Sequence, residues 1–193
     1  MELFIPSTTS SENSEDRTYY LNSEVNPDST QYLIEAINRI NRQDSITEAI
    51  LKVDGIEQQR QPIKIYINTP GGSVTDGLAL IGVISSSKTP IHTIANGSVC
   101  SMGIPILLSG HKRYSLKFTS FMIHSISSMA FGFIKEIEDS ARESKRLQDI
   151  LFNYIKERTH ISDKKLNKIY NKKEDYFIDE NEALRLNIIE EII

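Results

Sequence analysis

Apolar residues recur at helical spacing in some stretches of the chain and form short continuous runs in others, and the two patterns alternate. Thr18-Tyr-Tyr-Leu21 is a short β-rich run. Asn26-Pro27-Asp28 offers a helix start, and Leu33, Ile34, Ile37 and Ile40 predict an amphipathic helix over 29–42. Ile46, Ile50 and Val53 hint that it continues and ends near Gly55. Ile63-Lys-Ile-Tyr-Ile67 reads as a buried strand, Thr69-Pro-Gly-Gly72 as a turn, and Val74, Leu78, Ile81 and Ile84 as one helix face. Ile91 to Ala95 is the next strand, Asn96-Gly97 a turn, and Ser101 to Ser109 an apolar helix that ends at Gly110. Arg113–Leu116 and Ser120–His124 are strand-like. A long helix is expected over 134–158, with Ile137, Ala141, Ile150, Leu151 and Ile155 on its apolar side. Ser162 caps another helix, and Tyr176-Phe-Ile178 is a short strand. Asp179-x-x-Glu182 resembles a capping box that opens a last helix, and Asn187–Glu190 reads as a final strand. Alternating strands and helices predict an α/β layered fold.

The chain has 193 residues, which suits a single domain over 18–193. Residues 1–17 are polar and low in complexity and read as a flexible N-terminal arm. The formal net charge is −4, so there is no bulk attraction to phosphate, and nucleic acid is not an expected partner. One cysteine, Cys100, rules out an intrachain disulfide and fits a reducing, cytoplasmic setting. No run approaches 18 apolar residues, and the first residues lack the basic and apolar regions of a signal peptide, so no membrane association is expected.

Candidate chemistry collects at junctions between elements. Gly97-Ser-Val-Cys-Ser101-Met-Gly103 lies between a strand and a helix, where a tight turn exposes a serine and the next N–H points outward. Thr69-Pro-Gly-Gly72-Ser73 is a second such junction, and glycine there lets backbone approach a ligand. It lacks the Gly-Lys-Ser/Thr of a phosphate-binding loop. His124 ends an apolar strand, and Asp175 precedes another. His92, His111 and His160 have no supporting motif and no metal-ligand spacing, so no metal site is expected. Cys100 reads as a small buried residue beside Ser101. Singly, each of these features is also what packing or a surface charge would produce. Together they offer a serine, a base and an acid to orient it.

At these residues the chain resembles the proteolytic subunit of the Clp protease, a ClpP-like serine peptidase family, from about Thr18 to Ile189. Ile65-Tyr-Ile-Asn-Thr-Pro-Gly-Gly-Ser-Val-Thr-Asp-Gly-Leu-Ala-Leu80 resembles its Pro-Gly-Gly segment, and Gly97 to Gly103 its nucleophile turn. Phe121-Met-Ile-His124 resembles its Met-Ile-His motif, and Glu174-Asp-Tyr-Phe177 with Glu182-Ala183 its Arg-Asp-x-Phe…Glu-Ala segment. The resemblance implies a serine endopeptidase with Ser101 as nucleophile, His124 as general base, Asp175 as orienting acid, and the backbone N–H of Gly72 and Met102 as oxyanion hole. It implies a ClpP/crotonase-like spiral of ββα units with a protruding handle helix at about 134–158. It also implies a homo-oligomer of heptameric rings, stacked as a tetradecamer that encloses polypeptide substrates, an ATP-dependent unfoldase partner, and no cofactor. A phage-type head-maturation protease and a non-catalytic, ring-forming regulatory subunit are the alternatives.

The chain departs from the family at several points. About 17 residues precede the first matched strand, fewer than the family's N-terminal region. Ser125-Ile126-Ser127-Ser128 stand where the family has Gln-Pro and paired glycines, and only Gly132 remains of that stretch. Lys173-Glu174 replaces the family's acid–Arg pair before the catalytic Asp, which implies a sign-swapped contact between rings.

Overall fold

A computed structural model of the chain describes residues 16–127 and 131–193. The expected arm over 1–17 lies almost entirely outside the described residues, as do Ser128, Met129 and Ala130. Strand β1 (Thr18–Leu21) leads into helix α1 (Pro27–Val53), which starts where the sequence predicts. The Asn26 side chain accepts from the Ser29 N–H, the Ser29 hydroxyl accepts from the Asn26 N–H, and Pro27 takes the first helical position. The helix runs unbroken to Val53, as Ile46, Ile50 and Val53 hint. Its second half is held by side chains: Arg17 donates to both Asp44 carboxylate oxygens, Thr89 donates to Asp44, and Arg60 donates to Glu48.

Strand β2 (Ile63–Thr69), helix α2 (Val74–Ser86) and strand β3 (Ile91–Cys100) form the centre. Alternate residues Ile63, Ile65 and Ile67 of β2 are fully buried, the period-2 pattern of a half-buried strand. After β3 come the short helix α3 (Gly103–Leu108) and strands β4 (Lys112–Ser115) and β5 (Ser120–Ile123). Helix α4 (Ile134–Arg158), helix α5 (Asp163–Lys172), strand β6 (Tyr176–Asp179), helix α6 (Glu180–Arg185) and strand β7 (Glu191–Ile192) complete the chain. β1, β2, β3, β4 and β7 pair in parallel in that order, while β5 pairs with the far end of β3 and, antiparallel, with β6. This is the expected α/β layer with a handle. In α4 only Leu151 and Ile155 are buried, and its first turns carry exposed apolar residues such as Ile134 and Ile137.

Two sequence expectations are corrected. Asn96-Gly97 is not a turn: β3 continues through it to Cys100 with an irregular register against β2, where Ile67 faces Ala95 but Thr69 faces Val99. Gly97 supplies the positive φ of 79° that the bulge requires, and the Asn68 amide oxygen accepts from the Ser98 N–H across it. The bulge changes the partner of β3 from β4 to β5. Asn187–Glu190 is not a strand either. Asn187 has φ 56° and its N–H bonds the Leu184 carbonyl, so the chain is still unwinding from α6 there, and pairing begins at Glu191.

Candidate active site

The bulge in β3 decides where Ser101 goes. Beyond it, Ser98–Cys100 pair with Ser120–Met122, and the ladder extends one step to the Ser101 N–H, which donates to the Met122 carbonyl at 2.8 Å. Ser101 itself sits at φ 53°, a left-handed conformation that an L-residue adopts only when its surroundings hold it. The strand thus turns sharply into α3, and the hydroxyl stands out at the turn. Gly103, directly after it, lies so close to β2 that a Cβ there would meet the Thr69 methyl at 2.6 Å.

The Pro70–Gly72 loop presses on this elbow from the side. Gly71 has φ 97°, and a Cβ on it would come within 2.5 Å of the Ser101 Cβ and 3.0 Å of the Met102 nitrogen. The loop is pinned by the Val25 N–H donating to the Gly71 carbonyl and the Ser73 N–H donating to the Val25 carbonyl, both at 2.8 Å. The N–H groups of Gly72 and Met102 therefore lie on two segments in contact, and neither donates to another backbone group among the described turn and loop bonds.

His124 follows β5 directly, and its Nε2 lies 2.7 Å from the Ser101 hydroxyl. Because β5 runs beside the end of β3, residues 23 apart in sequence meet at one point. A cleft of about 510 Å³, part of it open to solvent, lies beside the pair. Val74, Pro105, Ile123, Leu151, Ile155 and Tyr170 give it an apolar wall, so the two buried residues of the handle helix face the reacting atoms. Burial in that wall pushes the Tyr170 phenol well above its ordinary pKa.

Asp175 is placed by the antiparallel ladder. Ile123 faces Tyr176, so the next step in register sets His124 opposite Asp175. Asp175 is exposed and, among the described residues, no hydrogen bond joins it to His124. Its neighbours are tied down. Lys173 ends α5 in a left-handed conformation (φ 54°), and the Glu174 carboxylate accepts from the Lys165 ammonium at 2.6 Å. That hydrogen bond, with Lys168 and Lys172 nearby, holds the Glu174 carboxyl below the usual carboxylate range. The Lys165 nitrogen also lies 3.8 Å from the centre of the Tyr176 ring. The Tyr176 hydroxyl donates to Glu182, and burial plus that carboxylate push its pKa up to about 12.

The expected capping box is therefore only half formed. Asp179 accepts from the Glu182 N–H at 2.8 Å, but the Glu182 side chain turns to Tyr176. Lys165 was not legible as part of the site, and the bond from Tyr176 to Glu182 was not legible either. Lys165 stands ten positions before Asp175 in a lysine-rich helix, and only docking of α5 on β6 gives it a role. The other histidines stay outside: His111 Nδ1 accepts from the Ile91 N–H, and His92 packs on Tyr114. The Cys100 sulfur lies 3.2 Å from the Ser98 hydroxyl.

These features define an α/β protein that presents a hydrogen-bonded serine–imidazole pair at a strand-to-helix elbow, beside an apolar cleft. The chain belongs to the Clp protease family: the sequence model of that family, described as Clp protease, matches residues 12–193. It is 34% identical over 152 residues to an ATP-dependent Clp protease proteolytic subunit of Deinococcus radiodurans, covering 78% of this chain and 73% of the relative. It is 35% identical over 135 residues to the ATP-dependent Clp protease proteolytic subunit 2 of Treponema pallidum, covering 69% and 67%. A proteolytic subunit from Borrelia garinii subsp. bavariensis matches over the full chain and 98% of its own length at 28% identity. Among the described residues, no helix is long and apolar enough to cross a membrane.

Proposed function

We propose that the chain is a serine endopeptidase that cleaves unfolded polypeptide inside a ring assembly. The 2.7 Å contact between His124 Nε2 and the Ser101 hydroxyl carries this reading. His124 takes the hydroxyl proton as Ser101 attacks the substrate carbonyl, then returns it to the leaving amine. The N–H groups of Gly72 and Met102 receive the oxyanion that forms. Asp175, next to His124 in register, orients the imidazole and stabilises its cationic form once the two close into contact. The apolar cleft takes the side chain before the cleaved bond, and no step needs a cofactor.

Membership of the Clp family and the relatives' description as proteolytic subunits support assembly into heptameric rings, stacked in pairs, in the cytoplasm with an ATP-dependent unfoldase. Exposed Lys173 and half-exposed Glu174 would supply the charged contact between rings. The test is hydrolysis of a mixed fluorogenic peptide library together with fluorophosphonate labelling. Native protein should do both, and Ser101→Ala should lose both, with kcat down by several orders of magnitude because the residues act as a unit. Hydrolysis that persists in Ser101→Ala would overturn the assignment.

A further inference from the structure

One cation holds the two residues on either side of Asp175. The Lys165 ammonium binds the Glu174 carboxylate at 2.6 Å and sits 3.8 Å from the centre of the Tyr176 ring. The Tyr176 hydroxyl is fixed in turn on Glu182, in the first turn of α6. Lys165 lies on α5, whose buried face (Leu166, Ile169 and Tyr170) is anchored in the core, so its stem starts from a rigid base. The Lys165 side chain is 28% exposed and the Glu174 side chain 42%, so the pair is partly open to solvent and rests on its 2.6 Å geometry. Between the two elements the backbone is irregular: Lys173 ends α5 in a left-handed turn, and β6 begins at Tyr176. Asp175 is thus suspended between two tethered neighbours at the point where the ladder would next pair it with His124.

We propose that Lys165 is a positioning residue for catalysis, acting through Glu174 and Tyr176 to set the reach of Asp175 toward His124. The inference rests on the serine-peptidase reading above. Its physical content is that Asp175 has no tether of its own among the described residues, so its place is dictated by the backbone on each side. A compact ammonium that binds a carboxylate and an aromatic face together fixes both sides at once. Removing it loosens Glu174, and with it the α5 side of Asp175, while Tyr176 stays in the ladder and on Glu182; the displacement of Asp175 is transmitted to the imidazole.

The experiment compares full-length Lys165→Met, Lys165→Arg, Asp175→Asn and the Lys165→Met/Asp175→Asn pair in the peptide assay, with native mass spectrometry of each sample. Lys165→Met should lower kcat by about 10- to 100-fold with KM nearly unchanged, the scale of an ångström-sized misplacement. Lys165→Arg should recover most of that loss, since a guanidinium can still bind Glu174 and stack on Tyr176. In the pair, Lys165→Met should add almost nothing to the Asp175→Asn loss, because its effect passes through the carboxylate already removed. A structural defect would add to it. Additive losses, native kcat in Lys165→Met, or loss of activity in step with a changed assembly mass would each overturn the proposal. Native activity in Asp175→Asn would instead overturn the triad, so the two failures are distinct.

Discussion

Replacing Gly71 by alanine should damage catalysis out of proportion to stability. The new Cβ would stand 2.5 Å from the Ser101 Cβ and 3.0 Å from both the Cys100 carbonyl oxygen and the Met102 nitrogen. Carbon atoms rest at about 3.5–4.0 Å, so the loop and the elbow must part by roughly 1 Å. None of the three neighbours is the free end of a flexible side chain. The φ of 97° adds strain of roughly 1–3 kcal/mol for a residue with a Cβ. At about 2–4 °C per kcal/mol for a chain of this size, the melting temperature should fall by several degrees. Catalysis should fall further, by about 100-fold in kcat/KM, because the shift separates Ser101 from His124 and moves the Gly72 and Met102 N–H groups apart. The control is Gly82→Ala on the exposed side of α2. Nothing lies within 4 Å of its would-be Cβ, so the change should raise stability by about 0.5–1 kcal/mol and leave activity alone. Peptide hydrolysis and differential scanning fluorimetry on both variants read the two effects. A Gly71→Ala protein with native kcat/KM would refute the claim that this loop braces the elbow.

Two further outcomes concern the long first helix. Burial raises the pKa of the Asp44 carboxyl, but hydrogen bonds from Arg17 and Thr89 and the charges of Arg17 and Arg60 outweigh it and hold it below the usual range. A lowered folded pKa means stability that is present above the unfolded value, near 4, and lost as pH falls through the folded one. Asp44→Asn should therefore cost about 2 kcal/mol at neutral pH and show a shallower loss of stability below about pH 4 than native protein, read by urea unfolding across pH. Asn26→Ala removes the cap of the same helix and should cost about 1 kcal/mol by the same measurement, with m unchanged.

Elements whose identity rests on local rules were legible in the sequence. The helix start at Asn26-Pro27, the caps at Ser162 and Asp179, and the apolar period of β2 depend on residues a few positions apart. Ser101 and His124 were legible as candidates for the same reason, since strand-to-helix turns and strand ends are marked by nearby glycine and apolar residues. Their meeting was not. It depends on the β3 bulge, and Asn96-Gly97 reads as a hairpin-type turn to any local rule, because glycine's positive φ serves both. Only the presence of β5 as a new partner and of Asn68 across the gap makes it a bulge. Glu182 shows the same limit: the sequence offered it a capping role, and the tertiary structure offered Tyr176, a better-placed donor. The placement of Asp175 belongs wholly to the tertiary level. Its neighbours are fixed by a lysine ten positions away and a strand some fifty positions away, and no spacing along the chain encodes contacts made across a docked helix and an antiparallel ladder.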